Sequence, residues 1–202
     1  MKDITQVMKG RVPGILGQEI CFRSAVLLPL VEYQGTTCLL FEERSPDLDH
    51  QPGEICFPGG KIDEKDGNAM EAAVREAVEE LGIVPQEIEV IGELDTLVTP
   101  FNAIIYPFVA RLSSCESICV NPSEVASFFC VPLEYLVTCE PRRAFLEVKL
   151  EPPEDYPYEL IPFGRNYPWR SGWYPQYFYI WQDKVIWGLT ARILHHFIDL
   201  IR

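Results

Sequence analysis

Between Phe57 and Ile83 the chain sets a tight turn, Pro58-Gly59-Gly60, ahead of a helix-forming run that carries Arg75, Glu76, Glu79 and Glu80 and stops at Gly82. Residues 69–81 are rich in Ala, Met, Glu, Leu and Arg, which favour helix. Asn68 can cap the first turn with Glu71 reaching back, and Gly82 suits the left-handed position after the last turn. Met70, Ala73, Val74, Ala77, Val78 and Leu81 recur at helical spacing, which predicts a buried stripe. Glu76, Glu79 and Glu80 share neighbouring ridges, and Arg75 is four residues after Glu71 and four before Glu79, placed to hold a carboxylate.

Carboxylates this dense repel one another unless something positive sits among them. A solvated acidic face would account for the glutamates alone. It would not require the glycines, the arginine and the terminal Gly82 at these offsets. A hard divalent cation, Mg2+ or Mn2+, does suit them, because such ions take carboxylate oxygens and keep sites for water and substrate phosphate. Glycines in the turn would let a backbone carbonyl approach the same ion.

From Gly60 to Ile83 the chain resembles the Nudix hydrolase box, Gx5Ex7REUxEExGU with U aliphatic. Asp66 takes the first Glu position, eight residues rather than seven separate it from Arg75, and Ala77 is a small occupant of an aliphatic slot. The coenzyme A diphosphatase branch looks similar there. Its upstream signature, LLTxR(S/A)x3Rx3Gx3FPGG, is resembled by Leu39-Leu40-Phe41-Glu42-Glu43-Arg44-Ser45 leading through Gly53 to Phe57-Pro58-Gly59-Gly60. Residues 186–194, Ile-Trp-Gly-Leu-Thr-Ala-Arg-Ile-Leu, resemble its IWGxTAxIL segment, so the likeness runs from about Phe22 to Leu200. The signature's second arginine falls at Asp49, and Phe41 and Glu42 depart from LLTx.

The resemblance implies an α/β fold, the Nudix α/β/α sandwich with a mixed β-sheet. It implies Mg2+ or Mn2+ held by Glu76, Glu79 and Glu80 with the Gly60 carbonyl. Glu79 or Glu124 would be the general base, Arg75 would steady the carboxylates, and Arg44, Ser45 and Lys61 would meet the substrate. The reaction would be hydrolysis of the coenzyme A diphosphate to 4′-phosphopantetheine and adenosine 3′,5′-bisphosphate. Asp49 keeps ADP-ribose and dinucleotides such as NADH open as substrates. A module that senses a nucleotide without cleaving it usually lacks box carboxylates, whereas Glu76, Glu79 and Glu80 are all present.

A chain of 202 residues is ample for one core, and no linker divides it, so residues 1–202 read as a single domain. A net charge of -13 argues against nucleic acid and against an anionic membrane surface. A small diphosphate stays compatible, since a cation and a few arginines set the field inside a pocket. Seven cysteines in apolar stretches and no apolar leader read as reduced thiols in a cytoplasmic protein.

Strand-like runs cover 22–33, 37–42, 88–98, 104–112, 125–131, 144–148 and 177–181, with Gln34-Gly35 as a hairpin turn and a helix over 184–201. Strands around a central helix with a closing helix fit a layered α/β domain. His195 and His196 face different directions on that last helix, and His50 reads as an exposed loop histidine or a substrate contact. Between Glu151 and Pro175, prolines and aromatics predict an ordered irregular segment. Its rings serve packing, a homodimer contact or stacking on an adenine.

Overall fold

The computed structural model describes residues 3–202. A short helix α1 (Ile4–Met8) precedes strands β1 (Phe22–Tyr33), β2 (Thr36–Arg44), β3 (Ile55–Cys56) and β4 (Gly59–Lys61). Helix α2 (Ala69–Leu81) follows, then β5 (Ile88–Glu93), β6 (Leu97–Val98), β7 (Ala103–Leu112) and β8 (Val125–Pro132). Helix α3 (Leu133–Thr138), strands β9 (Arg142–Val148), β10 (Gly172–Trp181) and β11 (Lys184–Ile186), and helix α4 (Gly188–Ile201) complete the order.

The central sheet is mixed. Its path is β3-β2-β1-β7-β5, with β8 on β2, β4 on β1 and β6 on β7. Only β1 and β7 run parallel among these pairs; the others are antiparallel. Gln34 and Gly35 both take positive φ, 52° and 76°, the geometry a two-residue hairpin turn needs to match strand twist. A smaller antiparallel sheet has the order β11-β10-β9.

Side chains on opposite faces of β1 and β2 enter different cores. Leu28, Leu39 and Phe41 pack with Ile193, Leu194, Phe197 and Ile198 of α4. Ala25 and Leu27 meet Ala72, Ala73 and Ala77 of α2, and Val31, Cys38 and Leu40 meet Leu81. The expected α/β/α sandwich is therefore present, with the three alanines letting α2 lie close on the sheet. Phe41 stacks on Phe57 at 4.9 Å and on Phe129 at 5.6 Å between centroids.

Helix α2 has the expected ends. Asn68 Oδ1 accepts from Glu71 N at 3.0 Å, a cap whose removal typically costs about 1 kcal/mol. Gly82 closes it at φ 64°, where an added Cβ would lie 2.1 Å from the Cys119 carbonyl oxygen. The buried stripe is turned relative to expectation, since Ala72 is buried and Met70 exposed.

The helix expected over 184–201 starts later. Lys184–Ile186 pairs with β10 across a turn in which Gln182 has φ 54°, and Gly188, at φ 65°, opens α4. Hairpin pairing overrides the helical spacing of the first residues. The segment from Glu151 is ordered as expected: Tyr156, Tyr167 and Trp169 stack among themselves, but from Gly172 onward it joins β10. Among the described residues no helix is long and apolar enough to cross a membrane.

Candidate active site

Strand β4 carries the glycine turn along β1, with Ala25 opposite Gly60. Leu27 N donates to Pro58 O at 2.8 Å and Ile62 N to Arg23 O at 3.0 Å. The antiparallel alternation then turns Gly60's backbone groups toward β1 and those of Gly59 and Lys61 toward α2. There Gly59 N donates to Glu80 Oε2 at 2.7 Å, and Lys61 O accepts from Arg75 at 3.2 Å. The carbonyl on the α2 side is thus Gly59's, which corrects the expectation for the Gly60 carbonyl. Gly60 contributes an absent side chain: a Cβ there would lie 2.5 Å from Glu76 Cδ. At Gly59, φ 149° and a Cβ position 2.3 Å from Ala25 O exclude any other residue.

Arg75 is fully engaged by the protein. Its Nε and one terminal nitrogen grip Asp66 at 2.9 and 3.0 Å, and the other terminal nitrogen reaches Glu76 at 2.8 Å and Glu79 at 3.3 Å. Glu71 is not its partner; that carboxylate accepts from Gly67 N and from the Asn68 amide. Hydrogen bonding to Arg75 holds the Asp66 carboxyl down at about 2, helped by the Asp63 backbone. Arg75 therefore positions carboxylates and has no donor left for substrate.

Glu80 is only 4% exposed. Burial pushes its carboxyl up to about 8; the Gly59 N–H opposes this, and Glu76 and Glu124 add to it. Burial also raises Glu76, against the pull of Arg75. Glu124 joins them through its loop: Asn121 N donates to Glu80 O at 2.9 Å and the Asn121 amide to Glu124 Oε1 at 3.3 Å. Glu79 is exposed, tied to Arg75.

The donor set fits a hard divalent cation. The Glu76 carboxylate lies against the bare Cα of Gly60, where no side chain could fit, and Glu76 Oε2 and Glu80 Oε1 remain without protein donors. The fit is not that of a ready-made cage: among the described residues no three His, Cys, Asp or Glu side chains are already gathered tightly enough to hold a metal ion. Arg75 draws one oxygen of Glu76 and one of Glu79 aside, and Gly59 N one of Glu80.

A cleft of about 510 Å³ begins at Gly59 and Gly60. Arg44, His50 and Lys61 line it, as do Val26, Ile55, Phe57, Ile105, Leu189 and Ile193. Arg44 Nε is buried without a hydrogen-bond partner, and one of its terminal nitrogens touches the His50 carbonyl at 3.4 Å. Ser45, expected to meet substrate, does not line this cleft. It is 2% exposed, its N–H donates to Glu124 O at 2.8 Å, and its Oγ accepts from Asp47 N at 3.5 Å, so it joins two loops.

Several residues of the site escape a reading of the chain alone. The Gly59 carbonyl depends on strand pairing, and Asp66 is marked only by its box position. Phe22 and Trp187 line the cleft, whereas the aromatics of residues 156–169 do not. Glu42 has the one local signal, a carboxylate where the upstream signature has threonine. His195 lies against Tyr179 Oη at 2.9 Å and Tyr177, in keeping with a packing role.

Comparison with known proteins bears on the family and the fold. Residues 22–166 match the NUDIX domain. The uncharacterized Nudix hydrolase NudL of Photorhabdus laumondii is 34% identical over 172 residues, 85% of this chain and 81% of that protein. The peroxisomal coenzyme A diphosphatase NUDT7 of Mus musculus is 40% identical over 113 residues, 56% of this chain and 48% of the mouse protein. A MutT/nudix family protein from Enterococcus faecalis shares the fold, with TM-score 0.53 over 98% of this chain and 67% of its own, at 11% identity. The chain belongs to the Nudix hydrolase family.

Proposed function

We propose that this Nudix hydrolase cleaves the diphosphate of coenzyme A or its derivatives, with Mg2+ or Mn2+, releasing 4′-phosphopantetheine and adenosine 3′,5′-bisphosphate. The observation that carries the reading is the two-part cleft. Its Arg44, His50 and Lys61 suit phosphates, and its Val26, Ile55, Phe57, Ile105, Leu189 and Ile193 walls suit a long, weakly polar arm. The mouse coenzyme A diphosphatase supports the same substrate, although the match spans about half of that protein.

Glu76 and Glu80 would hold the cation with the Gly59 carbonyl, and Glu79 beside them on the outer ridge. When bound, the ion neutralises diphosphate charge and makes water a better nucleophile. The protein's own work is placement. Arg75 and Asp66 fix α2 against the turn, Arg44 and Lys61 orient the phosphates, and Glu124 accepts the proton of the attacking water. Glu79 is the second candidate for that proton. The water oxygen bonds phosphorus as the bond from that phosphorus to the bridging oxygen breaks, so no protein nucleophile is required.

Asp49 favours a second reading. It replaces an arginine of the coenzyme A signature with an exposed acid on the 45–53 loop, which suits ADP-ribose or a dinucleotide with fewer phosphates. Side-by-side hydrolysis of coenzyme A, ADP-ribose and NADH with Mg2+ and with Mn2+, products identified, decides. The expected result is the highest kcat/KM for a coenzyme A form. Faster ADP-ribose turnover would overturn the substrate, and tight binding without hydrolysis would make the protein a sensor.

A further inference from the structure

Strand β2 alternates its side chains between the two cores, so Cys38, Leu40 and Glu42 share the face that looks at α2. Cys38 and Leu40 pack beside Val78, Leu81 and Ile83. One step further along the same face, the strand passes Glu80, and the residue there is Glu42. Phe41, between them in sequence, points the other way onto Phe57 and Phe129.

Glu42 is 1% exposed, and neither carboxylate oxygen has a hydrogen-bond donor. A buried carboxylate without a donor or a cation loses its hydration with no return. No ion pair among the described residues includes it; Arg44, two residues along, acts only through its field. Its carboxylate lies within hydrogen-bonding reach of Glu80, and Glu124 adds further negative charge. Two carboxylates offer each other no proton while both are ionised. Without metal a proton shared with Glu80 relieves the pair, in line with burial pushing both carboxyls up; a hard divalent cation takes that proton's place and satisfies both oxygens at once.

We propose that Glu42 is an additional oxygen ligand of the divalent-cation site, reaching the ion from β2 while Glu80 reaches it from α2. The assignment rests on the reading of that site as one for Mg2+ or Mn2+. It places the ion deeper than the α2 glutamates alone would, between helix and sheet. Glu42 then ties metal occupancy to the packing of β2 on α2. It also accounts for an acid at a fully buried strand position next to Phe41 and two residues beyond Leu40 on the same face.

The test is Mn2+ binding by the full chain without substrate, followed by electron paramagnetic resonance, for the wild type, Glu42→Gln, Glu76→Gln and Glu80→Gln. Glu42→Gln is expected to raise the Kd for Mn2+ by at least about tenfold, the loss that even an outer-shell partner typically causes. An unchanged Kd in Glu42→Gln with weakened binding in Glu76→Gln and Glu80→Gln overturns the assignment and leaves the cation site intact. An unchanged Kd in all three overturns both. Should Glu42→Gln fold poorly, wild-type crystals soaked in Mn2+ decide: an anomalous peak within direct bonding distance of a Glu42 oxygen, about 2.0–2.6 Å for hard divalent cations, supports the ligand. A peak bound only to α2 and Gly59 excludes it.

Discussion

Arg75 grips Asp66 through two parallel contacts of 2.9 and 3.0 Å, and the same guanidinium carries Glu76. The pair is the hinge between the glycine-turn segment and the helix that bears the glutamates. Asp66→Asn keeps the shape and loses the charge. We expect kcat/KM to fall by at least about tenfold, as for loss of groups that orient metal ligands, with an unchanged far-ultraviolet circular dichroism spectrum. Activity within twofold of wild type would remove the positioning role.

Gly60→Ala puts a Cβ at 2.5 Å from Glu76 Cδ. The methyl group must displace the carboxylate that Arg75 holds. Mn2+ affinity and turnover are expected to fall together, by at least about tenfold. A loss of thermal stability with normal Mn2+ affinity would instead mean that the turn bends and Glu76 keeps its place.

Glu80 sets a pH dependence whose sign follows from its environment. In the folded chain its proton is held up to about 8, whereas an unfolded glutamate releases it near 4.3. Between those values the native state binds more protons, so metal-free stability falls as pH rises. Glu76, Glu124 and Glu42 around it add charge of the same sign, and Arg44 opposes them. Melting in chelator at pH 5, 6.5 and 8 should show a declining Tm that Glu80→Gln flattens. Mn2+ should raise the Tm more at pH 8 than at pH 5. The same variant should lower kcat by about 10²-fold or more, the contribution expected of a positioned acid–base or charge-stabilising group. A Tm that rises with pH in chelator would contradict the burial argument.

Arg44 and Asp49 separate binding from discrimination. Arg44 lines the cleft with an unpartnered Nε, so Arg44→Ala should raise KM for coenzyme A several-fold with a smaller change in kcat. Asp49→Arg restores the charge of the upstream signature. It should shift the ratio of kcat/KM for coenzyme A over ADP-ribose upward, read in parallel assays. No shift would place Asp49 outside substrate choice.

Helix α2 was legible from residues alone because its signals are local. The Asn68 cap, the glutamate spacing and Gly82 each act within one turn of their own backbone. The long strands of the central sheet are legible to within a few residues for a similar reason, since alternation and the Gln34-Gly35 turn are short-range; the two- and three-residue strands β3 and β4 and the break between β5 and β6 inside 88–98 are not. Lys184–Ile186 departs from the helical expectation because its pairing with Tyr179, Ile180 and Trp181 competes with helical spacing, and only the assembled hairpin settles which wins. The place of Ser45 away from the cleft is not legible, because nothing in its own neighbourhood reveals that its N–H bonds the Glu124 carbonyl.

By itself the sequence determined the chemical inventory: a glycine turn, an arginine and three glutamates on one helical run, with the charge and spacing that suit a divalent cation and a diphosphate. Tertiary structure decided which atoms face the site. Strand pairing directs the Gly59 carbonyl, rather than that of Gly60, toward α2, and the register of β2 puts Glu42 beside Glu80. Periodicity names the residues on a face. Only packing of one element on another says what that face meets, because the contacts join positions tens of residues apart whose mutual orientation no local preference encodes.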